Sequence, residues 1–224
     1  MGEGALGRLV EGGKAAVRLA FCVTGSGRYG TKWLASLLDE SDADMKVYHE
    51  PLRRTKPFKS MTKDPCQDYV KLAGLFEERI VTAERWGSVS CYARANVGNL
   101  IDAGVRVAGL ARDGRTCTLS LKAILPHLTY RQACERWVEA YAGLLAAGAS
   151  VYRLEDLNTD FGTFRDLCDY VGCTADRGTW ERYRDLRFHV RSEKPRKPNA
   201  RQAAVFMAVC AETQVTLGYP LVED

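Results

Sequence analysis

The stretch from Leu19 to Glu40, LAFCVTGSGRYGTKWLASLLDE, constrains the fold more than any other part of the sequence. It begins with the apolar run 19–23, which is too short for a helix and predicts a buried parallel strand. A glycine-rich turn follows, and residues 31–38 then predict a helix that buries an apolar face. Because loop amides and a helix N-terminus concentrate partial positive charge at one point, this strand, loop and helix predict an anion-binding site.

The glycine-rich loop nearly fits GxxxxGK[ST], the phosphate-binding motif of nucleoside triphosphatases, and departs from it at one end. In that motif a Lys is followed by a Ser or Thr whose hydroxyl binds magnesium. Here Thr31 precedes Lys32 and Trp33 comes next, so the hydroxyl is missing from that place. The loop therefore predicts a phosphate site with little need for a metal, to which Arg28 and Lys32 add positive charge. A tight turn that binds no ligand is the alternative interpretation.

Size and composition indicate one globular unit. The 224 residues predict a single domain over 1–224, with 1–17 as a flexible lead-in or a short helix. Hydrophobic residues at 46% and charged residues at 27% are normal for a soluble protein. The net charge of +4 is too small to indicate nucleic acid, and it fits an anionic cofactor bound by a local group of arginines.

The cysteines and the first residues indicate the compartment. The eight cysteines include no CxxC pair and no zinc spacing, and several, such as Cys22 and Cys91, lie in apolar runs. We expect reduced core thiols and no metal site. The segment 1–18 has no long apolar run, so we expect neither a signal peptide nor a membrane span, and a cytoplasmic location.

Apolar runs and helical periodicity alternate along the chain. Five strands are predicted, over 19–23, 46–48, 88–92, 105–111 and 150–153. Helices are predicted over 31–38, 69–84, 95–103, 116–125, 131–147, 161–171 and 203–217. This alternation predicts an α/β fold, a three-layer α/β/α sandwich with a mainly parallel sheet.

A second phosphate motif follows the fourth predicted strand, in the segment 112–120, RDGRTCTLS. Arg112 ends the strand and Ser120 lies in the next predicted helix, so both side chains are candidates to bind one anion. The alternative is that Arg112 forms a structural salt bridge and Ser120 is an ordinary helix hydroxyl.

These motifs resemble those of sulfotransferases. The segment 27–33, GRYGTKW, resembles their 5′-phosphosulfate-binding loop, commonly PKSGTTW or GRSGTTW. The segment 112–120 resembles their 3′-phosphate motif, often RDPRDxxxS, with Arg112, Asp113, Arg115 and Ser120 matching. In that segment Gly114 replaces the usual proline, and Thr116 replaces the second aspartate.

Three shorter matches extend the resemblance over roughly 19–220. They are HEP at 49–51, YRLEDL at 152–157 and LGY at 217–219. We interpret the last two as packing signatures rather than as chemistry.

The resemblance implies a fold like that of P-loop nucleoside triphosphate hydrolases and a defined donor, 3′-phosphoadenosine-5′-phosphosulfate (PAPS). The protein would move its sulfuryl group to a hydroxyl or amine and release adenosine 3′,5′-bisphosphate. The implied donor-binding residues are Gly27, Arg28, Tyr29, Gly30, Thr31, Lys32 and Trp33 at the phosphosulfate, with Arg112 and Ser120 at the 3′-phosphate.

Glu50 is the implied catalytic base, because the glycan- and protein-modifying branches of the family place a glutamate shortly after the second strand. His49 is the second candidate, and Arg28 would stabilise the departing charge. The small-molecule branch uses a histidine in a later segment, for which this sequence shows no match. A salt bridge for Glu50 and a strand-capping role for His49 are the structural alternatives.

The acceptor is less constrained than the donor. Carbohydrate, lipid head group, small alcohol and peptide tyrosine are all compatible, and we favour a carbohydrate or small alcohol. Variable loops at 53–68 and 126–132 and the segment after 180 are the candidate acceptor-binding regions. Arg191, Arg196 and Lys197 lie in a basic segment, 187–201, where the family often has a glycine-containing loop whose glycines are missing here.

Two other functions stay open. A P-loop kinase is possible if Asp113 organises magnesium, and a sulfotransferase-like domain that binds nucleotide without turnover is the other. The sequence indicates no oligomeric state.

Overall fold

The computed structural model describes residues 18–27, 30–51, 69, 73, 84–186 and 197–221. Five strands within these ranges form one sheet: β1 (Arg18–Thr24), β2 (Lys46–His49), β3 (Arg85–Val89), β4 (Arg106–Ala111) and β5 (Val151–Arg153). Their order is β2-β3-β1-β4-β5, and every neighbouring pair is parallel. The predicted parallel α/β fold is confirmed.

Eight α-helices and one 3₁₀ helix are described in full around this sheet. The α-helices are α1 (Thr31–Ser41), α2 (Val97–Asp102), α3 (Gly114–Ile124), α4 (Tyr130–Ala146), α5 (Leu154–Thr159), α6 (Phe161–Val171), α7 (Arg177–Arg184) and α8 (Ala200–Thr216). The 3₁₀ helix spans Cys91–Asn96, directly after β3. Of the helix predicted over 69–84, only Tyr69 and Ala73 are described as helical, and both are buried.

The connections place helices on both faces of the sheet. The chain passes from β1 to β2 in one direction and from β3 through β4 to β5 in the other, so right-handed crossovers fall on opposite faces. Helices α1, α6 and α7 lie on one face, while α2 and α4 lie on the other with α3 and α8 packed on α4. The three-layer sandwich is the result.

The core explains why the strand sequences are so apolar. Phe21, Cys22 and Val23 in the central strand β1 are completely buried, because helices cover both faces of the sheet. On α4, Trp137 and Tyr141 lie four residues apart and make an edge-on contact with ring centroids 5.3 Å apart.

The third strand differs from its predicted bounds of 88–92. It begins at Arg85 and ends at Val89, because the Ser90 side chain accepts a hydrogen bond from the Tyr92 amide at 3.3 Å and begins the 3₁₀ helix. Because the residues at 84 and 85 are charged, a run of apolar residues does not indicate where this strand starts. Helix α7 was not predicted either, since charged side chains dominate it, although the Asp176 carboxylate caps it by accepting from the Thr179 amide.

Seven cysteines are described, all reduced. Six are buried as expected, and burial raises the pKa of the Cys22 thiol to about 12. Cys91 is the exception among the described cysteines, since it is only partly buried. Within the described ranges, every helix is too short or too polar to cross a membrane. In the same part of the chain, no group of three or more His, Cys, Asp or Glu side chains is arranged to hold a metal ion.

Candidate functional site

The loop between β1 and α1 has the backbone that its glycines allow. Gly27 and Gly30 have φ angles of 82° and 84°, in the left-handed region that favours glycine. Gly30 is also the N-cap of α1, and a side chain there would lie 2.9 Å from both δ carbons of Leu154. Arg28 and Tyr29 lie outside the described residues. The loop thus leads directly into a helix N-terminus, the arrangement expected for anion binding.

The first turn of α1 divides its side chains between the site and the core. Lys32 is exposed, whereas Thr31 is buried. Trp33 is 4% exposed, and its indole N–H donates to the Tyr183 carbonyl at 2.8 Å, so this side chain joins α1 to α7. The part of Trp33 that is suited to an anion is therefore its backbone N–H in the first helical turn.

The end of β2 lies against this first turn. His49 Nε2 is 3.0 Å from the Thr31 hydroxyl and 4.0 Å from Glu50 Oε1. The Glu50 amide donates to the Val89 carbonyl at 3.0 Å, which extends the pairing of β2 with β3 by one residue. The structure therefore brings Thr31, from the glycine-loop motif, next to His49 and Glu50 of the HEP segment.

Glu50 has an unusual backbone conformation. Its φ of 45° is the one positive value among the described non-glycine residues. Such a conformation costs roughly 1 kcal/mol for a residue with a side chain, and it occurs disproportionately at functional sites. The Glu50 side chain is only 13% exposed, so the carboxylate is held in a partly enclosed position.

Cys91 is a site residue that the sequence analysis assigned to the core. Its thiol donates to Glu50 Oε1 at 3.4 Å, and its Sγ lies 3.8 Å from the position that a Cβ at Gly27 would occupy. The signal that could have found it is its place just beyond a strand, at the edge where ligands bind in parallel sheets.

The segment after β4 is held by its own side chains. Asp113 is the N-cap of α3, and its carboxylate accepts from the Thr116 amide at 3.0 Å, Arg115 at 3.1 Å and Gln214 at 2.7 Å. Burial opposes ionisation of Asp113, but these hydrogen bonds outweigh it and lower the pKa of the carboxyl. Asp113 and Arg115 thus connect α3 to α8.

Gly114 allows α3 to pack closely on two other helices. Its amide donates to Gln214 Oε1 at 3.0 Å, and a Cβ there would lie 2.8 Å from that oxygen and 2.8 Å from the Trp137 ring. This close packing explains why glycine stands where the resemblance leads one to expect proline.

Several solved structures of similar architecture are sulfotransferases. The sulfotransferase STF9 from Mycobacterium avium has a TM-score of 0.59 and 13% identity over 92% of this chain and 79% of its own. Mouse sulfotransferase SULT7A1, complexed with PAP, has a TM-score of 0.57 and 10% identity over 89% of this chain and 88% of its own. The sulfotransferase domain of an olefin synthase from Synechococcus PCC 7002 has a TM-score of 0.51 and 12% identity over 90% and 98%.

The chain has the sulfotransferase fold. No protein-family model and no curated protein matches its sequence. At such low identity the similarity establishes the fold alone, so the chemistry of the site has to be argued from this chain's own residues.

In this sulfotransferase fold, Arg112 and Ser120 are both partly buried. Arg112 follows β4 directly, at the ligand-binding edge of the sheet, and Ser120 lies almost two turns into α3. No hydrogen bond joins their side chains, and the Arg112 guanidinium forms no ion pair with another described residue. The structure does not bring the two side chains into contact with each other.

The segments YRLEDL and LGY contact each other in the sulfotransferase fold, as expected of packing signatures. Arg153 pairs with Asp156 at 2.6 Å, donates to the Gly218 carbonyl and lies 5.1 Å from the centroid of the Tyr219 ring. The Tyr219 hydroxyl donates to Glu155 at 2.7 Å. Together with the contact of Leu154 with the glycine loop, these bonds place the segment 217–219 near the site.

Proposed function

We propose that this protein is a PAPS-dependent sulfotransferase, which transfers a sulfuryl group to a hydroxyl or amine of an acceptor. The observation that carries this proposal is the position of Glu50. Its carboxylate lies at the edge of the sheet beside the glycine loop, connected to that loop by His49 and Thr31. A candidate base is therefore adjacent to a candidate phosphosulfate site, and in-line group transfer requires that relationship.

The glycine loop fits the 5′-phosphosulfate end of such a donor. The left-handed turns at Gly27 and Gly30 lead into the N-terminus of α1, whose first amides have no partner within the helix. Arg28, Tyr29, Thr31 and Lys32 complete the proposed binding residues, together with the backbone of Trp33. When bound, PAPS would supply an activated sulfuryl group whose departure leaves negative charge on a phosphate, and the loop would stabilise that charge.

Arg112 and Ser120 fit the 3′-phosphate end. A guanidinium at the carboxyl end of β4, with no ion pair to any residue that the structure describes, is suited to a 3′-phosphate, which ATP lacks. We therefore propose that Arg112 selects the 3′-phosphorylated nucleotide, and that Ser120 adds a hydrogen bond from α3.

Glu50 accepts the acceptor proton in this proposal. The acceptor oxygen or nitrogen forms a bond to sulfur while the bond from sulfur to the phosphate oxygen breaks, and the electron pair of that bond stays on the phosphate. The acceptor proton moves to the Glu50 carboxylate, so charge and atoms balance. His49, already within hydrogen-bond distance of Thr31, is the second candidate for this role.

The kinase alternative is disfavoured by Asp113. The Asp113 carboxylate already accepts bonds from the Thr116 amide, Arg115 and Gln214, so it serves as a helix cap and is poorly placed to organise magnesium. The other alternative, nucleotide binding without turnover, is distinguished from the proposal by the activity assays described below. For the acceptor we propose a carbohydrate or small alcohol, bound by loops that include 126–132.

Calorimetric binding on the purified protein tests the donor. We expect adenosine 3′,5′-bisphosphate to bind without metal and much more tightly than magnesium-ATP. Preference for magnesium-ATP, with no response to the bisphosphate, would overturn the sulfotransferase proposal and favour a kinase.

A further inference from the structure

The strand order places Cys91 between the two halves of the proposed active site. Strand β3 lies between β1, which leads into the glycine loop, and β2, which leads into Glu50. Beyond the strands, the Ser90 amide donates to the Val23 carbonyl at 2.9 Å and the Glu50 amide donates to the Val89 carbonyl at 3.0 Å. The residue that follows, Cys91, is therefore fixed relative to both neighbouring strand ends.

The Cys91 side chain contacts both halves. Its thiol donates to Glu50 Oε1 at 3.4 Å, within the range of hydrogen bonds that involve sulfur. On its other side, the Cys91 Cβ lies 3.6 Å from the position of a Cβ at Gly27. The Arg94 guanidinium donates to the Cys91 carbonyl at 2.7 Å and holds the turn from which the thiol projects.

We propose that Cys91 is a positioning residue for the sulfuryl transfer proposed above, acting by orienting the Glu50 carboxylate toward the donor loop. A carboxylate has about four lone-pair positions on its two oxygens, so a bond from the thiol to Oε1 is compatible with the base role proposed for Glu50. The thiol bond limits rotation of the carboxylate, and general-base catalysis depends on that geometry. This inference rests on the proposed function.

The test separates hydrogen bonding from packing. Cys91→Ser keeps a proton to donate but loses the sulfur, whereas Cys91→Ala and Cys91→Val lose the proton, and valine keeps most of the volume. Cys173→Ala is the matched control, because Cys173 lies far from the proposed site. The preceding residue, Gly172, contacts Arg85 and Arg106, which begin β3 and β4 at the opposite end of the strands.

The measurement is release of radiolabelled sulfate from saturating PAPS with water as the acceptor, together with calorimetric binding of adenosine 3′,5′-bisphosphate. Loss of one thiol hydrogen bond predicts a fall in rate on the order of fivefold for the alanine and valine variants, with unchanged nucleotide affinity. Cys91→Ser should keep roughly half of the wild-type rate or more. Cys173→Ala should have the wild-type rate.

Equal losses in the serine, alanine and valine variants would overturn the positioning role and leave Cys91 as a packing residue. A loss of nucleotide affinity in all three would likewise overturn it, since the thiol would then support the donor loop. A wild-type protein that neither binds the bisphosphate nor releases sulfate would instead refute the proposed function, and this inference with it.

Discussion

The hydroxyl of Thr31 lies 3.0 Å from Nε2 of His49, and this contact joins the first turn of α1 to the last residue of β2. The same ring nitrogen is 4.0 Å from Glu50 Oε1. The two candidates for the catalytic base are therefore not equivalent. His49 is engaged with the helix that would hold the donor, whereas Glu50 presents a carboxylate beside it.

Glu50→Gln should lower the rate of sulfuryl transfer by about 10²- to 10⁴-fold, the usual contribution of a general base, without changing affinity for adenosine 3′,5′-bisphosphate. His49→Gln should cost less, because glutamine can still hydrogen-bond to Thr31 and Glu50 is intact. Single-turnover rates of sulfate release from PAPS, with calorimetry on the same samples, provide the comparison. If the histidine variant were the more damaged of the two, His49 would be the base.

Arg112→Ala should weaken binding of adenosine 3′,5′-bisphosphate roughly 30-fold, because a charge-assisted bond to phosphate contributes about 2 kcal/mol. Affinity for adenosine 5′-monophosphate, which lacks the 3′-phosphate, should stay the same. Arg165→Ala is the control, since Arg165 is an exposed arginine that lies beside Asp166 on α6, outside the proposed binding segments. If Arg112→Ala weakened the binding of both nucleotides equally, this residue would not be the one that recognises the 3′-phosphate.

Local patterns predict part of this structure well. The buried run of β1, the glycine loop and the helix after it follow from short-range rules, and α6 has the predicted bounds of 161–171. The strand order does not follow from such rules, because β3 enters between β1 and β2 through long-range pairing. The role of Cys91 depends on that order, so it could not be assigned from the sequence.

The segment 112–120 shows the same limit at the scale of single side chains. Asp113, Arg115 and Arg112 all match one motif, yet two of them bind each other and only Arg112 forms no ion pair with a described residue. Asp113 also accepts a hydrogen bond from Gln214 in α8, about 100 residues later in the chain, and this contact engages it in helix packing. A motif identifies residue types, whereas the partner from a distant helix decides which of them can bind a ligand.

Gly114→Ala should destabilise the fold by about 2 kcal/mol, because the added Cβ overpacks a helix contact that has no spare volume. Gly114→Pro, which restores the sulfotransferase-like proline, should cost more, since it also removes the hydrogen bond to Gln214. Gly98→Ala is the matched control, because a Cβ at Gly98 on α2 meets nothing within 4 Å. Urea denaturation compares the variants, and a stabilising proline would contradict the packing described for α3.

Asp113→Asn should make stability less dependent on acid pH. The Asp113 pKa is lowered below its ordinary value of 3.8, so the native state favours the carboxylate. The stabilisation is therefore present above pH 4 and is lost as the pH falls through the lowered pKa. Urea midpoints should differ between the wild type and the variant at pH 7 and converge in stronger acid. A constant difference across this range would show that the charge of Asp113 contributes nothing.

The order β2-β3-β1 also determines when the site can assemble during synthesis. The ribosome makes the glycine loop, His49 and Glu50 before it makes β3, yet β3 is the strand that lies between β1 and β2 and pairs with both. A nascent chain that stops short of Val89 therefore carries the proposed base and the proposed donor loop without the means to align them. Binding of the proposed donor can therefore begin to stabilise the protein only after β3 has emerged and entered the sheet.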